Sequence, residues 1–209
     1  MEDSARMLPI IAAVPLKPFA AAKGRLAATL SVEARRRISQ ELATRTIAAL
    51  RDAGATPLVL AADDEVEEWA RRQQIPVTTE QGSSLNGAAQ AAAATAAAAD
   101  GAWLICHADL PLIGGEVVSR VVTTLASGRP IIAPSADGGT NLLGAALYRF
   151  DFAYGPGSYH HHLRWLTPHQ PLILVHPALA IDLDQPADWQ ALASRLPWLA
   201  QLGDTLAAS

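Results

Sequence analysis

The sequence predicts a single α/β domain with a mostly parallel central sheet, and three observations carry that prediction. Short apolar runs alternate with helical patterns nearly to the end of the chain, the order of strand, helix and strand that a parallel sheet requires. The 209 residues suffice for one domain with a full core and are too few for two comfortable ones. Hydrophobic residues make up 50% of the chain and charged residues 17%, with no linker or internal repeat to mark a second domain.

Each element has its own signal. Residues 8–14 form an apolar run that reads as the first strand, followed by a loop through Leu26. Ser31 can cap a long helix in which Ala34, Ile38, Leu42, Thr46 and Ala49 recur at near-helical spacing, and Gly54 can end it. Residues 57–62 read as the second strand, 65–74 as a helix and 76–79 as a short third strand. The alanine-rich stretch 86–99 reflects helix propensity rather than disorder. Residues 103–108 are the clearest buried strand and end on Asp109, Leu110 and Pro111; a helix over 116–127 and a strand over 130–133 follow. Beyond Asp137 the alternation weakens: 142–148 reads as a strand, 155–157 as a turn, Ser158 as the cap of a short helix, 172–175 and 179–183 as strands, and 186–195 as a closing helix.

The net charge of −4 leaves no basic surplus for nucleic acid, so any phosphate binding is local. The single Cys106 cannot form an internal disulfide and reads as core. No signal-peptide layout is present, and the longest low-charge stretch is too polar for a membrane span, so a cytoplasmic protein is expected.

The chemistry concentrates in a few segments. The first strand empties into a loop whose small residues Ala20, Ala21, Ala22 and Gly24 let a ligand approach the backbone, while Lys17, Lys23 and Arg25 can neutralise an oxyanion. Asp109 falls at a strand's carboxyl end, where ligands of open α/β sheets gather. Asp182 and Asp184, two apart on an extended segment, can present two carboxylates to one spot. Such a set suits Mg²⁺ completed by substrate phosphates; the competing reading of Asp184 is a helix cap before Pro186. Residues 138–141 and 154–158 are either ordinary turns or loops that offer N–H groups and hydroxyls to an anion. His160, His161 and His162 are consecutive and cannot easily converge on a metal, and neither a Walker A nor a Gly-x-Gly-x-x-Gly motif occurs.

Taken in order, Val14-Pro-Leu-Lys-Pro-x-x-x-x-Lys23-x-Arg-Leu26, Gly82-x-x-Leu-Asn86, Ala108-Asp-Leu-Pro111, Gly139-Thr-Asn141, Tyr154-Gly-x-Gly-Ser158 and Asp182-x-Asp184 resemble the phospholactate guanylyltransferase family, which includes the phosphoenolpyruvate guanylyltransferases. The resemblance runs from about residue 10 to residue 188, with departures at Gly24, Ser84 and Glu80. It implies a three-layer, Rossmann-like nucleotidyltransferase fold and transfer of GMP from GTP to a three-carbon phospho-acid (2-phospholactate, phosphoenolpyruvate or 3-phosphoglycerate) in biosynthesis of the deazaflavin coenzyme F-420. A downstream deazaflavin transferase is then a possible partner. The resemblance also implies that Pro15, Leu16, Lys17, Lys23, Arg25, Gly82, Leu85 and Asn86 serve the nucleotide; that Asp109, Asp182 and Asp184 hold Mg²⁺; and that Thr140, Gly155 and Ser158 contact the acid. Lys17, Lys23, Arg25 and Asp109 are the expected catalytic groups. The alternatives are the same fold acting on a sugar phosphate or molybdopterin, and a noncatalytic nucleotide-binding module.

Overall fold

Side chains of β1 (Ile10–Leu16) alternate between two cores: in the computed structural model, which describes residues 7–79, 84–147 and 149–203, Ala12 and Val14 face one layer of helices and Ala13 the other. The same alternation holds along β4 (Ala102–Cys106), where Leu104 and Cys106 oppose Trp103 and Ile105. Strands apolar on both faces have to be covered on both, which makes the three layers.

The described strands form one sheet in the order β3-β2-β1-β4-β6-β5-β7, with β2 (Thr56–Ala61), β3 (Val77–Thr79), β5 (Ile131–Pro134), β6 (Thr140–Ala145) and β7 (Leu172–Ile173). β1, β2, β3 and β4 are parallel; β6 runs antiparallel to both β4 and β5, and β7 pairs in parallel with β5. Chain order reverses between β1 and β4, so the carboxyl ends of these two strands flank the sheet's switch-point crevice.

One layer is built by α1 (Val32–Asp52), α2 (Asp64–Arg72) and α4 (Gly115–Ala126), the other by α3 (Leu85–Ala98) and α5 (Ser158–Leu166). Ser31 caps α1 through Ala34 N–H, and Gly54 follows its last turn at φ 91°, as the sequence predicts. Helix α3 buries Ala88, Ala89, Ala92, Ala93 and Ala96; their small side chains let it lie close on β1 and β4. A third cluster joins α1 to α7 (Pro186–Ala193) and α8 (Pro197–Leu202) around Leu42, Leu183, Trp189 and Leu199.

Several expected boundaries move. β1 extends through Pro15 and Leu16, and β6 begins at Thr140 rather than at residue 142. The strand expected over 179–183 does not form: α6 (Pro177–Ala180) occupies its start, and residues 181–184 are irregular. Pro177 at the first helical position favours that turn, and a short apolar run is ambiguous between strand and buried helix. Ser158 is the first residue of α5, not its cap; Gly157 caps it at φ 73°, a left-handed conformation that costs glycine little.

Trp103 fixes the segment that leads into α5. It is 1% exposed, packs on Phe150 and Phe152 with ring centroids 5.1 and 4.9 Å away, and its indole N–H donates to the Leu147 carbonyl at 3.0 Å. This anchor carries the chain to Tyr154, whose ring packs beside His107.

Candidate active site

The loop after β1 is shaped by three contacts. Phe19 is buried edge-on against Trp69 at 5.4 Å, the Arg35 guanidinium donates to the Ala22 carbonyl at 3.0 Å, and Lys23 takes a left-handed conformation (φ 56°, ψ 36°) before a 3-10 turn over Gly24–Leu26. A non-glycine residue in that region needs such support. The result turns the Lys23 side chain inward, where it is 7% exposed and its ammonium donates to Asp109 Oδ2 at 3.3 Å.

A cavity of about 330 Å³ opens at the carboxyl ends of β1 and β4. Of the residues expected to bind a nucleotide, Pro15, Leu16, Lys17, Lys23 and Leu85 line it, as do the expected acidic residues Asp109 and Asp184. Phe19, Leu42, Ala62 and His107 complete much of the wall, none of them expected from sequence as a site residue. Arg25 lies outside the wall, with its side chain 66% exposed and paired with the Asp184 carboxylate. Asn86 also lies outside: its Oδ1 accepts the Tyr154 N–H at 2.8 Å, so its carbonyl joins two loops instead of facing a base. Gly82 lies outside the described residues.

Leu183 N–H donates to the Asp109 carbonyl at 3.0 Å, which draws the 181–184 segment alongside Asp109. Asp184 does not cap α7: Gln185 is the N-cap, and Asp188 at N3 closes the capping box, accepting the N–H groups of Gln185 at 2.7 Å and Asp184 at 3.1 Å, which leaves the Asp184 carboxylate to Arg25. Burial, and then the Asp109 charge, push the Asp182 carboxyl above its ordinary range. Burial also acts to raise Asp109, but the Lys23 ammonium and His107 override it and hold that carboxyl low. The carboxylates are thus close enough to feel one another. Yet among the described residues no three His, Cys, Asp or Glu side chains converge as a metal set, and Asp182 is absent from the cavity wall. In this arrangement Lys23 and Arg25 engage two of the three expected carboxylates, those of Asp109 and Asp184.

The expected acid-binding residues form a second group. Thr140 and Ser158, each 3% exposed, bring their hydroxyls to 3.1 Å, and Thr140 Oγ1 lies 3.0 Å from His162 Nδ1. Gly155 lies in the exposed turn ahead of them. None of the three lines the cavity; Tyr154 links the two regions, its ring 5.5 Å from His107 and 4.9 Å from His162. His107 Nε2 and the Tyr154 hydroxyl are both buried without a hydrogen-bond partner among the described residues, and burial lowers the imidazole pKa and raises the phenol's. The period of two along β4 puts His107 on the Trp103 and Ile105 face, a signal that could have marked it.

The remaining features behave as structure. Asn141 donates to the Leu179 carbonyl at 3.0 Å and docks α6 on the sheet. The turn at Asp137 and Gly138 joins β5 to β6, with the Asp137 carboxylate accepting the Gly139 N–H at 3.1 Å. The three histidines diverge: His160 is exposed, His161 pairs with Asp151 at 3.0 Å, and His162 is fully buried. Cys106 is in the core, its thiol pushed up to about 12 by burial.

Comparison with known proteins agrees with this architecture. Residues 10–189 match the family described as "Guanylyl transferase CofC like". A phosphoenolpyruvate guanylyltransferase of Roseiflexus sp. (strain RS-1) is 35% identical over 208 residues, covering 95% of this chain and 88% of that one. A 2-phospho-L-lactate guanylyltransferase of Methanothermobacter thermautotrophicus is 29% identical over 174 residues, covering 83% and 78%. Among solved structures, a protein from Desulfovibrio desulfuricans G20 described as a candidate nucleotide-diphospho-sugar transferase superposes with a TM-score of 0.75 at 17% identity, covering 92% of each chain. The chain is an enzyme of the nucleotidyltransferase class and belongs to the CofC-like guanylyltransferase family.

Proposed function

We propose that this enzyme transfers GMP from GTP to the phosphate of a three-carbon phospho-acid, 2-phospholactate, phosphoenolpyruvate or 3-phosphoglycerate, with release of pyrophosphate, in biosynthesis of the deazaflavin coenzyme F-420. The observation that carries this reading is the meeting of Lys17, Lys23, Asp109 and Asp184 on one cavity at the β1/β4 switch point, in a chain of this family.

In the proposed reaction a phosphate oxygen of the acid attacks the α-phosphorus of GTP and the bond to the pyrophosphate oxygen breaks. The nucleophile is already anionic near neutral pH, so no general base is needed. Catalysis is positioning and charge neutralisation: Lys17 and Lys23 meet the triphosphate from the cavity wall, and Arg25 closes from the rim after leaving Asp184. The hard carboxylate donors of Asp109, Asp182 and Asp184 fit Mg²⁺, and the Asp109 charge, after burial, helps to raise the Asp182 carboxyl, a repulsion that a cation beside them would relieve. Bound there with substrate phosphates, Mg²⁺ would supply charge neutralisation and orientation. Lys23 then exchanges its contact with Asp109 for phosphate oxygens.

The test is incubation with GTP, Mg²⁺ and each acid separately, coupled to a deazaflavin transferase and its acceptor, with the product identified by mass. Turnover with one of the three acids and none with glucose 1-phosphate is expected. Turnover with glucose 1-phosphate alone would overturn the assignment.

A further inference from the structure

The Thr140, Ser158 and His162 group contains a proton count that the reaction above does not use. His162 is fully buried, and its Nε2 lies 3.1 Å from the backbone N–H of Ala153. An amide N–H only donates, so Nε2 must be the unprotonated nitrogen that accepts it. Burial, followed by the neighbouring His161, lowers the imidazole pKa to about 4, so the ring is neutral near pH 7. Its one hydrogen is therefore on Nδ1 and is donated to Thr140 Oγ1 at 3.0 Å.

The group then holds three hydrogens: Nδ1–H, the Thr140 hydroxyl and the Ser158 hydroxyl. The His162 to Thr140 contact uses the first, and the Thr140 to Ser158 contact at 3.1 Å uses one of the other two, whichever hydroxyl donates. One hydroxyl hydrogen is left, and among the described residues neither hydroxyl has another partner. With the opposite tautomer, Thr140 would donate to Nδ1 and Ser158 to Thr140, and nothing would be left. The choice made at Ala153 thus decides whether this pair can donate outward.

Resting on the function proposed above, we propose that His162 is a positioning residue which, through Thr140, keeps one hydroxyl hydrogen of the Thr140 and Ser158 pair available to the carboxylate of the phospho-acid. Ser158 opens α5 directly behind the exposed turn of Gly155, Pro156 and Gly157, so the donor stands beside the surface from which a small anion would arrive. The unspent donor suits an anionic oxygen such as a carboxylate's, since the pair has a hydrogen to give and both of its inner contacts are already made.

Two variant pairs and one spectrum test this. His162→Asn keeps an amide donor near the Nδ1 position, whereas His162→Gln can accept from Ala153 but places no donor there. Thr140→Ser keeps the hydroxyl, and Thr140→Val removes it at nearly constant volume. His162→Gln and Thr140→Val should raise KM for the acid about tenfold or more, as loss of a hydrogen bond to a charged group does, with KM for the nucleotide within about twofold. His162→Asn and Thr140→Ser should stay within about threefold of wild type. Equal changes in the donor-retaining and donor-lacking variants, or parallel changes in both KM values, would overturn the proposal. Long-range ¹H–¹⁵N NMR of the wild-type enzyme reads the tautomer without any substrate: a neutral ring protonated at Nδ1 is expected at pH 7, and a hydrogen on Nε2 overturns the relay whatever the acid is. If none of the three acids is turned over while the NMR shows Nδ1–H, the functional assignment fails and the carboxylate role fails with it, with the tautomer left standing.

Discussion

Replacing Lys23 by alanine should damage stability and turnover together, and the two losses are separable by pH. The ammonium lies 3.3 Å from Asp109 Oδ2, a gross attraction of about 5 kcal/mol at an effective dielectric of about 20. Desolvation of a lysine side chain only 7% exposed offsets much of this, and Asp109, 33% exposed, retains part of its hydration when its partner is removed. Breaking a fully buried pair costs about 3 to 5 kcal/mol, so this half-open one should cost about 2 kcal/mol, or roughly 4 to 8 °C in Tm for a chain of this size. The carboxyl of Asp109 is held low in the folded protein against a burial effect that acts to raise it. A depressed carboxyl contributes stability above its unfolded pKa, near 4, and loses it as pH falls through the folded value. The stability gap between wild type and Lys23→Ala should therefore be full at pH 7 and shrink below about pH 4. On the catalytic side, a lost cation aimed at developing charge is worth about 2 to 4 kcal/mol, which is roughly 30- to 900-fold in kcat/KM. Urea unfolding at several pH values and a pyrophosphate-release assay measure the two effects. A variant with wild-type turnover, or a stability gap that grows on acidification, would refute the reasoning.

Asp182→Asn combined with Asp184→Asn should abolish Mg²⁺-dependent pyrophosphate release while leaving the circular dichroism spectrum intact, since both carboxylates are half-buried and outside the main cores; turnover at the wild-type rate would remove the metal role. His162 contributes stability that is full above pH 6.5 and lost as pH falls to about 4, because only the unfolded imidazole takes up a proton in that window. The loss is up to about 3 kcal/mol, and it should be missing from the pH profile of His162→Asn measured by urea unfolding. Gly144→Ala on β6 would set a methyl group 2.7 Å from Leu125 Cδ1 and 3.0 Å from the Trp103 carbonyl, both packed in the core. A cost of about 1 to 3 kcal/mol in thermal unfolding is expected, and an unchanged Tm would show that the β4/β6 layer yields freely.

The layers and the place of the crevice were legible from sequence because they rest on local regularities. A run such as residues 10–14 is apolar at successive positions, which suits a strand covered on both faces, and a cationic loop and Asp109 each follow such a run. Ser31 and Gly54 bound α1 by chemistry that acts within four residues. What tertiary structure alone decided are pairings between groups far apart in the chain. Lys23 meets Asp109 across 86 residues, Arg25 meets Asp184 across 159, and Asn86 holds Tyr154 across 68. No periodicity encodes those partners; they follow from strand order, which puts β4 beside β1 and turns β6 antiparallel between β4 and β5. The same holds for His162, one of three identical neighbours in sequence. The family resemblance points to His162 without saying why; the packing of α5 against Phe150 and Tyr154 buries that ring, and burial beside the Ala153 N–H then sets its tautomer.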